Sequence, residues 1–108
     1  MDIPYFTQLT LFDAASATGV GKPFDVKEVN TVSLQITGAF VAIVTLQCTQ
    51  NNVDWVSLQM VNVADNASAA TASAPGIFKA DVKALSQIRA SVAWTSGTSI
   101  TITAYGSV

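Results

Sequence analysis

Apolar and polar residues alternate along most of the chain, and the alternation predicts strands. Between Thr31 and Thr37, Val32, Leu34 and Ile36 interleave with Ser33 and Gln35, the pattern of a strand with one wet face. Phe6 to Phe12 places Leu9 and Leu11 on one side. Gln87 to Trp94 sets Ile88, Ala90, Val92 and Trp94 against Arg89, Ser91 and Ala93, and Ser99 to Tyr105 sets Ile100, Ile102 and Ala104 together. The run from Phe40 is apolar at both parities for five residues, as in a strand buried on both sides or touching a subunit. It then settles into Val44, Leu46 and Cys48 inward.

Turn chemistry divides these runs. After a small-residue stretch from Asp13, Gly19 and Gly21 permit positive φ and Pro23 bars a central strand, so Gly19 to Pro23 reads as a surface loop. Phe24 to Val26 is a short strand, followed by a turn at Lys27-Glu28 with Val29 packing behind it. Gly38-Ala39 reads as a tight connection and Gly97 as the turn of a hairpin. Gln50-Asn51-Asn52 joins Thr45–Thr49 to a strand from Trp55 to Val63, with Val56, Leu58 and Met60 inward and Trp55 over the hairpin end. Asp65 to Ala74, rich in Ala, Ser and Thr, reads as an exposed loop. Pro75-Gly76 ends it, and Gly76 to Val82 is a strand with Phe78 inward. About eight strands without an amphipathic helix predict an all-β fold: one antiparallel β-sandwich of jelly-roll or immunoglobulin-like type. It spans residues 1–108 as a single domain, with 1–5, which contain Pro4, as an extended N-terminal arm.

Composition narrows the function. Only 11% of residues are charged, the net charge is −2, and the five basic residues are spread along the chain. That excludes the clustered Lys and Arg on which nucleic-acid binding depends. No run approaches the roughly 18 apolar residues needed to cross a bilayer, and the opening MDIPYFTQ lacks the basic and apolar regions of a signal peptide. The expectation is synthesis in a host cytoplasm and no membrane partner. So few charges are a weak defence against association, which points to assembly.

Catalytic chemistry is poorly supplied. The chain has no His, and no Ser-x-x-Lys spacing offers a substitute base, so the expectation is that it is not an enzyme. Thr18-Gly19-Val20-Gly21-Lys22 lacks the earlier glycine and the following hydroxyl of a phosphate loop. Asn66-Ala67-Ser68 matches a glycosylation acceptor by coincidence. Asp54, Asp65, Asn51, Asn52 and Asn66 offer oxygens to calcium, but no packed Asp-x-Asp run supports a site, and no metal or other cofactor is expected. Cys48, alone and without a His partner, reads as a small buried hydrophobe. Trp55, Trp94, Tyr5 and Tyr105 suggest either a sugar-stacking surface or core and hairpin cover.

The run Gln50-Asn51-Asn52-Val53-Asp54-Trp55-Val56-Ser57-Leu58 resembles the strand, Asp-Gly-x-x-Trp turn and strand of small β-sandwich proteins of tailed-phage particles. There too an Ala/Ser/Thr-rich loop, a Pro-Gly turn and a strand similar to Gln87-Ile88-Arg89-Ala90 follow. The resemblance covers about Thr31 to the C-terminus, although Asn51-Asn52-Val53 replaces the usual glycine; discoidin-like carbohydrate-binding domains have a similar hairpin. It implies a virion structural protein, foremost a capsid decoration (cement) protein, or else a fibre or tail component or a carbohydrate-binding adhesion module. Its partners would be other virion proteins, the major capsid protein first, and further copies of itself, with a glycan as the lesser alternative. The expected interaction surface is Phe40, Val41, Ile43, Trp55 and Tyr105, the apolar run and edge strands supplying subunit contacts.

Overall fold

The protein, described over residues 6–107 in a computed structural model, is built on two long antiparallel strands. In chain order the strands are β1 (Phe6–Ala15), β2 (Gly19–Val20), β3 (Phe24–Asp25), β4 (Thr31–Thr49), β5 (Val56–Ser57), β6 (Met60–Asn62), β7 (Ser68–Ala69), β8 (Thr71–Ala72), β9 (Gly76–Asp81) and β10 (Gln87–Ser107). All belong to one antiparallel sheet of order β1-β10-β4-β9-β6-β7; β2 and β3 also pair with β10, and β5 and β8 with β4. No helix occurs among the described residues. The all-β antiparallel prediction is therefore met. The N-terminal arm expected at residues 1–5 lies outside the described residues.

The largest departure concerns the two expected turns at Gly38-Ala39 and Gly97. Neither ends its strand. β4 and β10 pair along their whole lengths of 19 and 21 residues, from Gln87 opposite Thr49 to Ser107 opposite Thr31. The pairing shifts by one residue between Trp94 and Ser96 and again between Gly97 and Ser99, so two bulges account for the two extra residues of β10. One bulge would turn the rest of the strand inside out. Two together make a full pleat period, which is why even-numbered positions point inward on both sides of the bulges. Alternation broken by glycine looks the same in sequence whether the chain reverses or bends.

The bent ribbon divides the sheet into two halves. Residues 31–37 of β4 and 99–107 of β10 pair with β9 and β1, and residues 44–48 and 87–92 pair with the short strands β8, β5, β3 and β2. Val32, Leu34, Ile36, Ile100 and Ile102 from the first half and Val44, Leu46, Ile88 and Val92 from the second are at most 1% exposed and belong to one core cluster. Each half's apolar face is thus covered by other strands of the same chain.

Smaller corrections follow from the same geometry. β1 runs on to Ala15, and Gly19–Val20 pairs with β10 as a strand inside the expected loop. The Ala/Ser/Thr stretch carries β7 and β8, anchored on β6 and β4. The expected strand Trp55–Val63 is broken into β5 and β6. Within it Leu58 packs on the core and Met60 is buried, but Val56 is 61% exposed, against the inward reading. A two-residue strand is too short for the alternation to govern both of its ends.

Candidate interaction face

Residues directly opposite each other in an antiparallel pair point to the same side. Since Val44, Leu46, Ile88, Ala90 and Val92 point into the core, the odd positions between them share the outer face: Val41, Ile43, Thr45 and Gln47 of β4 with Arg89, Ser91 and Ala93 of β10. β2 brings Val20 opposite Ser91, and β5 brings Ser57 opposite Gln47. Val20, Val41 and Ile43 are 54%, 58% and 52% exposed, a concentration of branched apolar side chains on a face that polar residues would cover more cheaply. The five residues expected to form an interaction surface separate accordingly. Val41 and Ile43 stand together on this face. Phe40 has the opposite parity, lies across from Gly97 and is half-buried against the core. Tyr105 is on the other half of the sheet, opposite Ser33 and Gln8.

Trp55 returns to the outer face from the β4–β5 connection. The Arg89 guanidinium lies over its ring, 4.1 Å from the centroid, and Arg89 Nε donates to Gln47 Oε1 at 2.7 Å across the strand pair. The connection that delivers Trp55 is fixed by its amides. Asn51 Oδ1 accepts from the backbone N–H of Val53 (2.9 Å) and of Asp54 (2.8 Å), while Asn51 Nδ2 donates to Asp54 Oδ2 at 2.8 Å. The buried Thr49 hydroxyl accepts from Asn52 N, and Ser86 Oγ donates to Asn52 Oδ1 at 2.6 Å. Asn52 has φ 64°, a left-handed conformation that asparagine is among the few residues to accept readily.

The remaining polar groups converge less. A cavity of about 320 Å³ beside this connection is lined by apolar Cys48, Val56 and Leu85 and by polar Gln50, Asn51 and Asp54. Burial pushes the Cys48 thiol above its ordinary pKa, which disfavours the thiolate that nucleophilic chemistry needs. Among the described residues no group of three or more His, Cys, Asp or Glu stands close enough to share a metal ion. Among the described residues no helix is long and apolar enough to cross a membrane.

A sequence model of the XepA family matches residues 5–106. The chain belongs to the XepA family. No curated protein matches it. Among solved structures, the SPBc2 prophage-derived protein YomS has a TM-score of 0.92 at 18% identity, with 100% of this chain and 97% of that one covered. The PBSX exported protein XepA has a TM-score of 0.94 at 12% identity, covering 100% of this chain and 39% of that one, so this chain spans well under half of it. At such identities the likeness is one of fold. The expected kinship with phage proteins holds at that level, since the fold of this XepA-family chain is also that of a prophage-derived protein.

Arg89 and Gln47 are the members of the face that composition and alternation do not single out. Both occupy polar positions of clearly alternating runs, where solvent is the ordinary destination. Their meeting depends on the register of β4 against β10, forty-two residues apart in sequence, and alternation carries no information on which strands pair.

Proposed function

We propose that this XepA-family chain is a phage-encoded structural protein that acts by assembly and without catalysis, in the first place as a capsid decoration protein. The observation that carries the reading is the exposed apolar set Val20, Val41 and Ile43 on one sheet face of a chain with only 11% charged residues. Burying such a face against other copies or against the shell removes apolar surface from water, at about 25 cal/mol per Å². A protein that binds only the assembled shell stabilises it by mass action, with no chemistry required. The family and the shared fold with a prophage-derived protein support the phage origin. A relative of the same fold is described as exported, which suits a working place outside the cytoplasm.

A fibre or tail component would use the same face. The carbohydrate-binding alternative is weakened by Trp55, because the ring face over which Arg89 lies is closed to a sugar. The test is sedimentation of the purified protein alone and with phage particles from which it has been stripped. Self-association together with rebinding to particles supports the reading. A protein that stays monomeric at high concentration and leaves particles bare overturns it.

A further inference from the structure

The outer face holds a cation that is positioned but not neutralised. Arg89 presents five N–H donors on a planar fork, and Nε alone is used, toward Gln47. The Trp55 ring beneath the guanidinium restrains its plane. Among the described residues the ion pair is Lys27 with Asp25, and no carboxylate lies within 4.0 Å of Arg89. The four remaining N–H groups are therefore oriented without an acceptor among the described residues. Lys22, between Gly21 and Pro23 on the segment that pairs with this end of β10, likewise has no acidic partner among the described residues.

We propose that Arg89, positioned by Trp55 and Gln47, is a recognition point for a carboxylate side chain of a partner protein. The inference rests on the assembly reading above and names the chemistry of its partner. A planar fork with both terminal nitrogens uncommitted matches a carboxylate in a bidentate pair. The surroundings select a protein over a saccharide. On the same face Val20, opposite Ser91, stands about 7 Å beyond Arg89, and Ala93 with Ile43 about 14 Å beyond, at about 7 Å per two residues, so an acidic side chain followed by apolar ones would meet both. Stacking with Arg89 also occupies the aromatic surface a sugar ring would need. The arrangement joins an apolar centre to an arginine anchor, the combination that dominates protein interfaces.

The test is calorimetric titration of the full chain at low salt with three polyanions: poly-L-glutamate, polyuronate and polyphosphate. Poly-L-glutamate is expected to bind, and Arg89→Gln to weaken it on the order of tenfold, as for loss of a charge-assisted pair. Arg89→Lys keeps the charge but loses the fork, and Trp55→Ala keeps the arginine but loosens it; both are expected to weaken binding several-fold. Lys79→Gln, on β9 in the other half of the sheet, is expected to leave it unchanged. Equal binding by the wild type and Arg89→Lys overturns the fork, and equal loss in Lys79→Gln reduces the effect to net charge. Stronger binding of polyuronate or polyphosphate overturns the protein carboxylate as ligand. Particle rebinding that survives Arg89→Gln, with poly-L-glutamate binding lost in that variant, overturns Arg89 as the recognition point in the assembly; particle rebinding retained by a wild type that does not bind poly-L-glutamate overturns the site alone.

Discussion

Gly97 lies opposite Phe40 in the longest strand pair of the protein, with φ 124°, and a Cβ added there would fall 2.5 Å from the Phe40 Cα and 2.6 Å from the Ala39 carbonyl oxygen. Gly38, with φ 119° and its own close approach to the Ser99 carbonyl, faces Ile100 on the far side of the bulge. The two glycines let both strands bend at one level of the ribbon. Each is required twice, by its φ and by the backbone pressed against it, so neither side-chain repacking nor solvent can relieve a substitution.

Gly97→Ala and Gly38→Ala should each destabilise the fold by about 2 kcal/mol or more, the scale of a residue forced into a glycine-only conformation. For a domain of this size that lowers Tm by roughly 8–16 °C. Thermal unfolding followed by circular dichroism measures it. Gly19→Ala is the control, since a Cβ there meets nothing within 4 Å, and it should shift Tm by no more than a few degrees.

Two non-glycine residues in left-handed conformation should respond to glycine with opposite signs. Ala84 has φ 71° and offers its carbonyl to Gln50 Nε2, a backbone group that glycine retains. Ala84→Gly removes a cost of about 1–2 kcal/mol at this φ and adds roughly 0.4–1 kcal/mol of unfolded-state entropy, leaving a net gain of about 0.5 kcal/mol. Asn52 has φ 64° but also accepts the Ser86 hydroxyl. Asn52→Gly loses that bond and should cost about 1 kcal/mol. Denaturant midpoints at unchanged slope distinguish the two.

These positions also show where sequence reading stops. Inward positions were legible wherever a run was long and one face was buried, as with Ile88, Ala90 and Val92 or Ile100, Ile102 and Ala104, all 0% exposed. Glycine is ambiguous at 38 and 97, because a positive φ serves a bulge as well as a turn. Val41 and Ile43 were legible as apolar residues out of phase with the core, and alternation fixed their side of the sheet once β4 was known to be continuous. The Arg89–Trp55–Gln47 group was not legible, since it needs the pairing of β4 with β10 and the path of a connection held by Asn51 and Asn52. The apolar run brings Phe40, and aromatic character Tyr105, into the expected surface, although parity separates the first from this face and the bend separates the second.

The apolar face and the fold can be tested independently. Val41→Ser with Ile43→Ser removes exposed side chains that the core does not need, so stability of the isolated chain should change by no more than about 0.5 kcal/mol per site. Self-association measured by analytical ultracentrifugation should weaken by tenfold or more for the pair, on the order of 1.4 kcal/mol in total. A double variant that unfolds early would place these residues in the fold instead of at an interface.

Cys48 supplies a pH dependence with a definite sign. Its thiol is buried at 5% exposure, and burial raises its pKa above the ordinary 9.0. Unfolding therefore lets the thiol release its proton more readily than folding does. The contribution to stability is fully present below the unfolded value and is lost as pH rises through the folded one. Stability measured in denaturant should fall as pH rises from about 9, and Cys48→Ala should flatten that decline while costing on the order of 1 kcal/mol at neutral pH through lost packing. Alkylation adds a second readout. At pH 8 the wild-type thiol should react with iodoacetamide far more slowly than a free thiol, and denaturant should restore the ordinary rate, because only the deprotonated, accessible form attacks.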